Sequence, residues 1–441
     1  MSGARLEWRA QPARGPLRGV LRVPGDKSIS HRAMMLGSLA EGSTEVSGFL
    51  EGEDTLATAA AFRAMGVRID AEGGGKRIVH GVGLHGLRAP SAALDLGNSG
   101  TGMRLLAGIL AGQAFGSELI GDASLSRRPM KRVIEPLARM GARIDSREGG
   151  LAPLRFAPAP AGLDGIEYQS PVASAQVKSC LLLAGLFARG LTTVNEPHRT
   201  RDHTERMLRA FGVQVQVAGN TASLRGGQRL LAASIAVPAD ISSAAFFAVA
   251  ASIVPGSELL LEQVGINPLR DGILRALRLM GADITLVNPR VLGDEPVADL
   301  RVRHAPLRGI EVPEALVPDM IDEFPVLFAA AAVAQGTTVV RGAAELRVKE
   351  SDRIAAMAAA LRALGADIDE TRDGAIIRGG RLTGGRIDSH GDHRIAMASA
   401  VAALVADGAV EIADCANVAT SFPDFVGLAA ATGFSLTEHA A

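Results

Sequence analysis

The sequence predicts a mixed α/β (α+β) fold made of six repeated units, three in each half of the chain. Three observations predict it. A short phrase recurs six times, with glycines spaced by 75, 71, 69, 84 and 68 residues. Two uncharged stretches, 241–257 and 324–340, each run 17 residues, below the ~20 apolar residues of a membrane span. The length of 441 residues exceeds what one hydrophobic core organises and points to two domains.

In the recurring phrase an Ala- and Arg-bearing helix stops at a hydrophobic residue and Gly. The copies are Met65-Gly66, Met140-Gly141, Phe211-Gly212, Met280-Gly281, Leu364-Gly365 and a degenerate Thr432-Gly433. Glycine supplies the left-handed residue that ends a helix, and the period then switches from 3.6 to 2, predicting an alternating strand such as Val67-Arg68-Ile69. A second phrase, an apolar helix, a Gly turn and a β-branched strand, precedes most copies, as in Ala334-Gln335-Gly336-Thr337-Thr338-Val339-Val340. Each unit therefore holds two helices and several strands, with a boundary between halves near Val237-Pro238-Ala239-Asp240. The two uncharged stretches read as helices buried on every side.

Composition narrows the function. With 46 Lys and Arg against 47 Asp and Glu, the formal charge is -1, so no global field draws nucleic acid or an anionic membrane. Aromatic residues make up 3%, which leaves little for stacking on bases. Cys180 and Cys415 cannot build a disulfide framework, and no metal-binding spacing is present, so neither metal nor cofactor is expected. No secretory signal is read in residues 1–20, and a cytoplasmic location is expected.

The chemistry concentrates at helix starts. Pro24-Gly25-Asp26-Lys27-Ser28-Ile29-Ser30-His31-Arg32 enters an apolar helix, where Ser28 or Ser30 can cap and backbone amides and Lys27 can meet an anion. Its glycine spacing excludes a Walker A loop. Leu96-Gly97-Asn98-Ser99-Gly100-Thr101-Gly102-Met103-Arg104 opens another helix with glycines that let a ligand approach the backbone. Ser126-Arg127-Arg128-Pro129 precedes a third, and Ser170 to Lys178, with Ser174 and Gln176, starts a fourth. In the second half, Asp319 to Pro325, Glu345 to Arg353 and Asp392-His393-Arg394 stand before further helices. Charged or capped surface helices would account for any one of these segments. Cationic helix starts in both halves, with Asp322 and Glu350 beside them, imply an interdomain site that holds multiply anionic small molecules and moves protons.

The phrases PGDKSISHR, LGNSGTGMR, GDASLSRRPM, SAQVKS, TRDHTERML, MIDEFP, LRVKESDR, DHRIAM and TSFPDF, in this order along nearly the whole chain, resemble the 5-enolpyruvylshikimate-3-phosphate synthase family, in its class II-like branch. The resemblance implies a two-domain inside-out α/β barrel of six βαβαββ repeats, helices within and sheets outside. It further implies an N-terminal domain of 23–239, a second domain joining 1–22 to 240–441, and an active site in the cleft between them. The implied reaction transfers the enolpyruvyl group of phosphoenolpyruvate to the 5-hydroxyl of shikimate 3-phosphate and releases phosphate, a step of aromatic amino acid biosynthesis. By position, Lys27, Ser28, Arg32, Ser174, Gln176, Arg201, Asp322 and Lys349 resemble the acceptor binders. Lys27, Gly100, Arg128, Gln176, Arg353 and Arg394 resemble the donor site. Asp322 matches the base, and Glu350 with Lys27 the proton donor. The sequence departs from other branches at Thr420, Ala175 and Glu345. Small-molecule substrates are the partners expected, with no nucleic acid, no membrane and a monomeric chain. Two rivals are a UDP-N-acetylglucosamine enolpyruvyl transferase, whose reactive cysteine would lie near Arg128 where this chain has none, and a non-catalytic binder of phosphorylated metabolites.

Overall fold

In the computed structural model, which describes residues 6–440, the six repeated glycines all adopt left-handed backbone. φ is 91° at Gly66, 98° at Gly141, 84° at Gly212, 95° at Gly281, 80° at Gly365 and 106° at Gly433. Each stands just past a helix and just before a strand, so the stop signal read in the sequence operates at every copy.

The chain divides into two units. The first consists of Gly25–Val237 with Leu292–Asp294. Its helices are α1 (Lys27–Leu39), α2 (Glu53–Ala64), α3 (Gly100–Ala111), α4 (Lys131–Arg139), α5 (Ala175–Gly185) and α6 (His203–Ala210). The second unit takes the chain up to Pro24, Pro238–Val291 and the chain from Glu295 on. Its helices are α7 (Ile241–Ile253), α8 (Gly272–Leu279), α9 (Phe324–Ala331), α10 (Arg353–Ala363), α11 (His393–Ala403) and α12 (Phe425–Thr432).

Odd and even helices differ in kind. Every residue of α7, α9 and α11 is buried, as the two uncharged stretches predict for α7 and α9. The even helices keep an exposed face: α4 buries only Val133, Pro136 and Leu137. In the second unit α7, α9 and α11 pack on one another, and in the first α3 packs along α5 and also meets α1. The approach of α3 to α5 is close because residue 108 is glycine, whose added Cβ would stand 2.2 Å from the Cys180 carbonyl oxygen. Each unit thus has a core of helices, fully buried in the second and buried except at their first turns in the first, and the sheets surround it with one face in and one out. Along Glu41–Ser47, for example, Thr44 and Val46 are buried and their neighbours exposed.

Four of the four-stranded sheets share one pattern, a parallel pair followed by two antiparallel strands, whereas one three-stranded sheet is wholly antiparallel and one two-stranded sheet is a parallel pair alone. The repeat containing α3 and α4 runs Leu94–Asp95, α3, Ser117–Ile120, α4, Ile144–Arg147, Leu151–Phe156, which is βαβαββ in chain order. Two repeats borrow their first strand. Ser234–Ala236 pairs in parallel with Glu41–Ser47, and Arg18–Leu21 with Glu258–Gly265. The sixth repeat borrows its last, because Leu6–Gln11 lies between Val410–Ala413 and Ser435–Ala440, with Trp8 opposite both Ile412 and Glu438. The first strand of the chain therefore completes the repeat at its other end. No helix among the described residues is long and apolar enough to cross a membrane.

Candidate active site

In the first unit the helix starts named by the sequence converge. At α1 the cap is Asp26 rather than Ser28 or Ser30: its carboxylate accepts from the Ile29 amide at 2.8 Å. A carboxylate two residues ahead of Ser28 wins because it is a charged acceptor for a helix amide. Lys27, the first residue of α1, puts Nζ 2.9 Å from Asp54 Oδ2 at the start of α2. Arg32, one turn on, is buried and ties α1 to two further helices. Its Nε donates to Thr204 Oγ1 at 2.6 Å, its Nη2 to Ser179 Oγ at 2.7 Å, and its Nη1 to the Ser28 carbonyl at 2.8 Å.

Ser99 caps α3 and Ser174 caps α5. Gln176, in the first turn of α5, accepts from Arg104 Nη1 and donates to Thr101 Oγ1, each at 2.9 Å. Arg128 is buried and turned onto Asn98, reaching its Oδ1 at 2.6 Å and its carbonyl at 3.2 Å. Gly100 lies between the two arginines: a Cβ there would stand 3.0 Å from Arg128 Nη1 and 3.1 Å from Arg104 Nη1. Lys27, Gly100, Arg104, Arg128 and Gln176 thus form a cationic group of helix starts, which suits a phosphate or carboxylate. His31 lies among them, with Nδ1 2.8 Å from Thr58 Oγ1 and Nε2 3.3 Å from Ser99 Oγ. Burial, with Lys27 and Arg32 nearby, holds its imidazole well below the ordinary histidine range, so it adds no charge to the cluster. Arg201 sits half-buried just before α6.

The second unit carries the acidic residues. Arg353, the first residue of α10, is 2% exposed and distributes its guanidinium over three carboxylates. Nε reaches Asp392 Oδ2 at 2.8 Å, Nη2 reaches Glu350 Oε2 at 2.6 Å and Asp392 Oδ1 at 3.3 Å, and Nη1 reaches Asp322 Oδ1 at 3.5 Å. Asp322 and Glu350 take different nitrogens of one planar fork, so the arginine spaces them as well as neutralising them. Lys349 Nζ is 3.3 Å from the same Asp322 oxygen. Arg394, in the first turn of α11, donates from Nη1 to the Asp322 carbonyl at 2.9 Å. Burial alone would raise the Asp392 carboxyl, but the Arg353 guanidinium overrides it and holds Asp392 below the usual carboxylate range. Burial likewise works against the Arg353 charge, and Asp392 and Glu350 more than restore it.

The predicted residues therefore fall into two sets. Lys27, Ser28, Arg32, Gly100, Arg128, Ser174, Gln176 and Arg201 belong to the first unit, and Asp322, Lys349, Glu350, Arg353 and Arg394 to the second. Within the second, all five join one network. Sequence reading missed Asp54, Arg104 and Asn98. Asp54 and Arg104 pair across 27 and 72 residues, beyond any local spacing signal, although Arg104 stands one helical turn after Gly100. It also left Asp392 as a mere helix cap, whereas Asp392 caps α11 and anchors Arg353 at once. Among the described residues no group of His, Cys, Asp and Glu could hold a metal ion.

The family model for EPSP synthase (3-phosphoshikimate 1-carboxyvinyltransferase) matches residues 12–428. A 3-phosphoshikimate 1-carboxyvinyltransferase of Xanthomonas campestris pv. campestris (strain B100) is 62% identical over 439 residues, covering 100% of both chains. One from Xanthomonas oryzae pv. oryzae (strain PXO99A) is 62% identical over 436 residues, 99% of each. A solved structure of EPSP synthase from Acinetobacter baumannii is similar with a TM-score of 0.88 and 52% identity, covering 98% of this chain and 100% of that one. Its matched residues, its repeats and its full-length relatives make the chain a member of the EPSP synthase (3-phosphoshikimate 1-carboxyvinyltransferase) family.

Proposed function

We propose that the chain transfers the enolpyruvyl group of phosphoenolpyruvate to the 5-hydroxyl of shikimate 3-phosphate and releases phosphate. The observation that carries this reading is the 62% identity, over the full length of both chains, to a 3-phosphoshikimate 1-carboxyvinyltransferase. The residues supply what the chemistry needs. Asp322 accepts the proton of the 5-hydroxyl as its oxygen bonds to the central carbon of the donor. Glu350 with Lys27 delivers a proton to the methylene carbon, which gives a tetrahedral ketal. Loss of a proton from the new methyl group then re-forms the double bond and expels phosphate. Gly100, Arg128, Gln176, Arg353 and Arg394, with Lys27, bind the donor. Ser28, Arg32, Ser174, Gln176, Arg201 and Lys349, with Lys27 and Asp322, bind the acceptor. Both sets act on one pair of substrates, in a cytoplasmic monomer organised as domains 23–239 and 1–22 plus 240–441.

Mixing the protein with both substrates and following phosphate release tests the reading. Release is expected with shikimate 3-phosphate and not when UDP-N-acetylglucosamine replaces it. Release with the nucleotide sugar alone would assign the rival transferase activity, and release with neither would leave a binding protein.

A further inference from the structure

Beside Asp322 stands a second carboxylate that the reaction does not use. Glu323 is 1% exposed, and its Oε1 lies only 3.7 Å from Arg394 Nη1, a donor-site cation in the proposed reading. An anion this close to a substrate-binding arginine would compete for it, because a buried carboxylate needs a charged partner. The structure provides another. Arg270, 4% exposed, places Nη1 2.9 Å from both Glu323 oxygens. Ser242 of α7 donates its hydroxyl to the same carboxylate and accepts from Arg270 Nη2. Asp240, the cap of α7, stands 3.8 Å from Arg270.

We infer that Arg270 is a positioning residue for the donor site: it occupies Glu323, and so leaves Arg394 to hold the Asp322 carbonyl and to meet the donor's anionic groups. The inference rests on the reading that Arg394 contacts phosphoenolpyruvate. Geometry supports the division of labour, since Arg270 engages both oxygens at 2.9 Å while Arg394 lies at 3.7 Å from one. At roughly equal local dielectric the shorter, two-oxygen contact dominates. Removing Arg270 leaves Arg394 as the nearest cation for an otherwise uncompensated buried anion.

The test compares Arg270→Met, Glu323→Gln and the double variant by the Michaelis constant for phosphoenolpyruvate at saturating shikimate 3-phosphate, with Trp8 emission confirming that each is folded. Arg270→Met should raise that constant by about tenfold or more, the size of one charge-assisted contact. Glu323→Gln, and the double variant in which neither charge remains, should stay within about threefold of the parent. A merely structural clamp would leave the double variant as weak as Arg270→Met, and that result overturns the inference. If Arg270→Met does not fold, the other two still decide, because tenfold weakening in either contradicts the role assigned to Arg270. Arg394→Ala is measured alongside. Loss of donor affinity there with none in Arg270→Met overturns this inference alone, and no loss in Arg394→Ala overturns the donor-site reading and this inference together.

Discussion

Asp322 is met by Lys349 at 3.3 Å and Arg353 at 3.5 Å, and its own carbonyl is held by Arg394. Both cations meet the same oxygen, Oδ1. Asp322→Asn keeps the shape and removes the basicity, so turnover should fall by roughly 10² to 10⁴ while the acceptor's Michaelis constant changes far less. Steady-state kinetics decides this, and near-parental turnover would remove Asp322 from the role of base. His31 makes a second prediction. Its folded imidazole is held well below the ordinary range by burial, Lys27 and Arg32, whereas in the unfolded chain it titrates near about 6.5. The unfolded state therefore binds more protons below that pH, and stability should fall as pH drops through it. His31→Gln should shrink the loss of urea midpoint between about pH 7.5 and about pH 5.5; an equal loss in both forms would show that His31 is not the group responsible. At this scale the sequence revealed residues that stand in phrases, such as Lys27 and Arg353. It concealed Asp54, which reaches the site by pairing with Lys27 across 27 residues, and it showed Arg104 within a phrase but not its pairing with Gln176 across 72.

Helix ends were the most legible elements, because the signal that stops a helix is local. Gly141 meets nothing within 4 Å of an added Cβ, yet its φ of 98° disfavours any side chain. Gly108, inside α3, poses the opposite problem: its backbone is helical, but an added Cβ would stand 2.2 Å from the Cys180 carbonyl oxygen of α5. Gly141→Ala should therefore cost about 1–2 kcal/mol, the left-handed penalty. Gly108→Ala has to separate two buried helices and should cost about 3 kcal/mol or more, at or beyond the upper end of ordinary overpacking. Urea midpoints of the two variants check the order, and equal losses would mean that α3 and α5 yield without repacking. The sequence displayed Gly141 as one of six copies. Gly108, in Leu106-Ala107-Gly108-Ile109, was indistinguishable from a weak helix former until its partner helix was known.

At the scale of the whole molecule, the repeats were legible and their closure was not. Counting phrases divides the chain into three plus three, but no local pattern says that Leu6–Gln11 pairs with Ser435–Ala440. That pairing carries Trp8, the sole tryptophan, into the core of the second unit, where it stacks on Phe425 at 5.4 Å. The first unit has its own core, which includes Phe62 of α2 and the sole tyrosine, Tyr168. The two buried clusters share no residue, so each should respond to damage in its own interior. Phe62→Ala should cost the first core about 3–5 kcal/mol. Far-UV dichroism should then gain an early unfolding phase in urea, while the midpoint read from Trp8 emission stays at the parental value, a departure from two-state behaviour expected of two cores. If the Trp8 midpoint falls together with the dichroism, the units unfold as one cooperative block, and the separation of their cores does not govern stability.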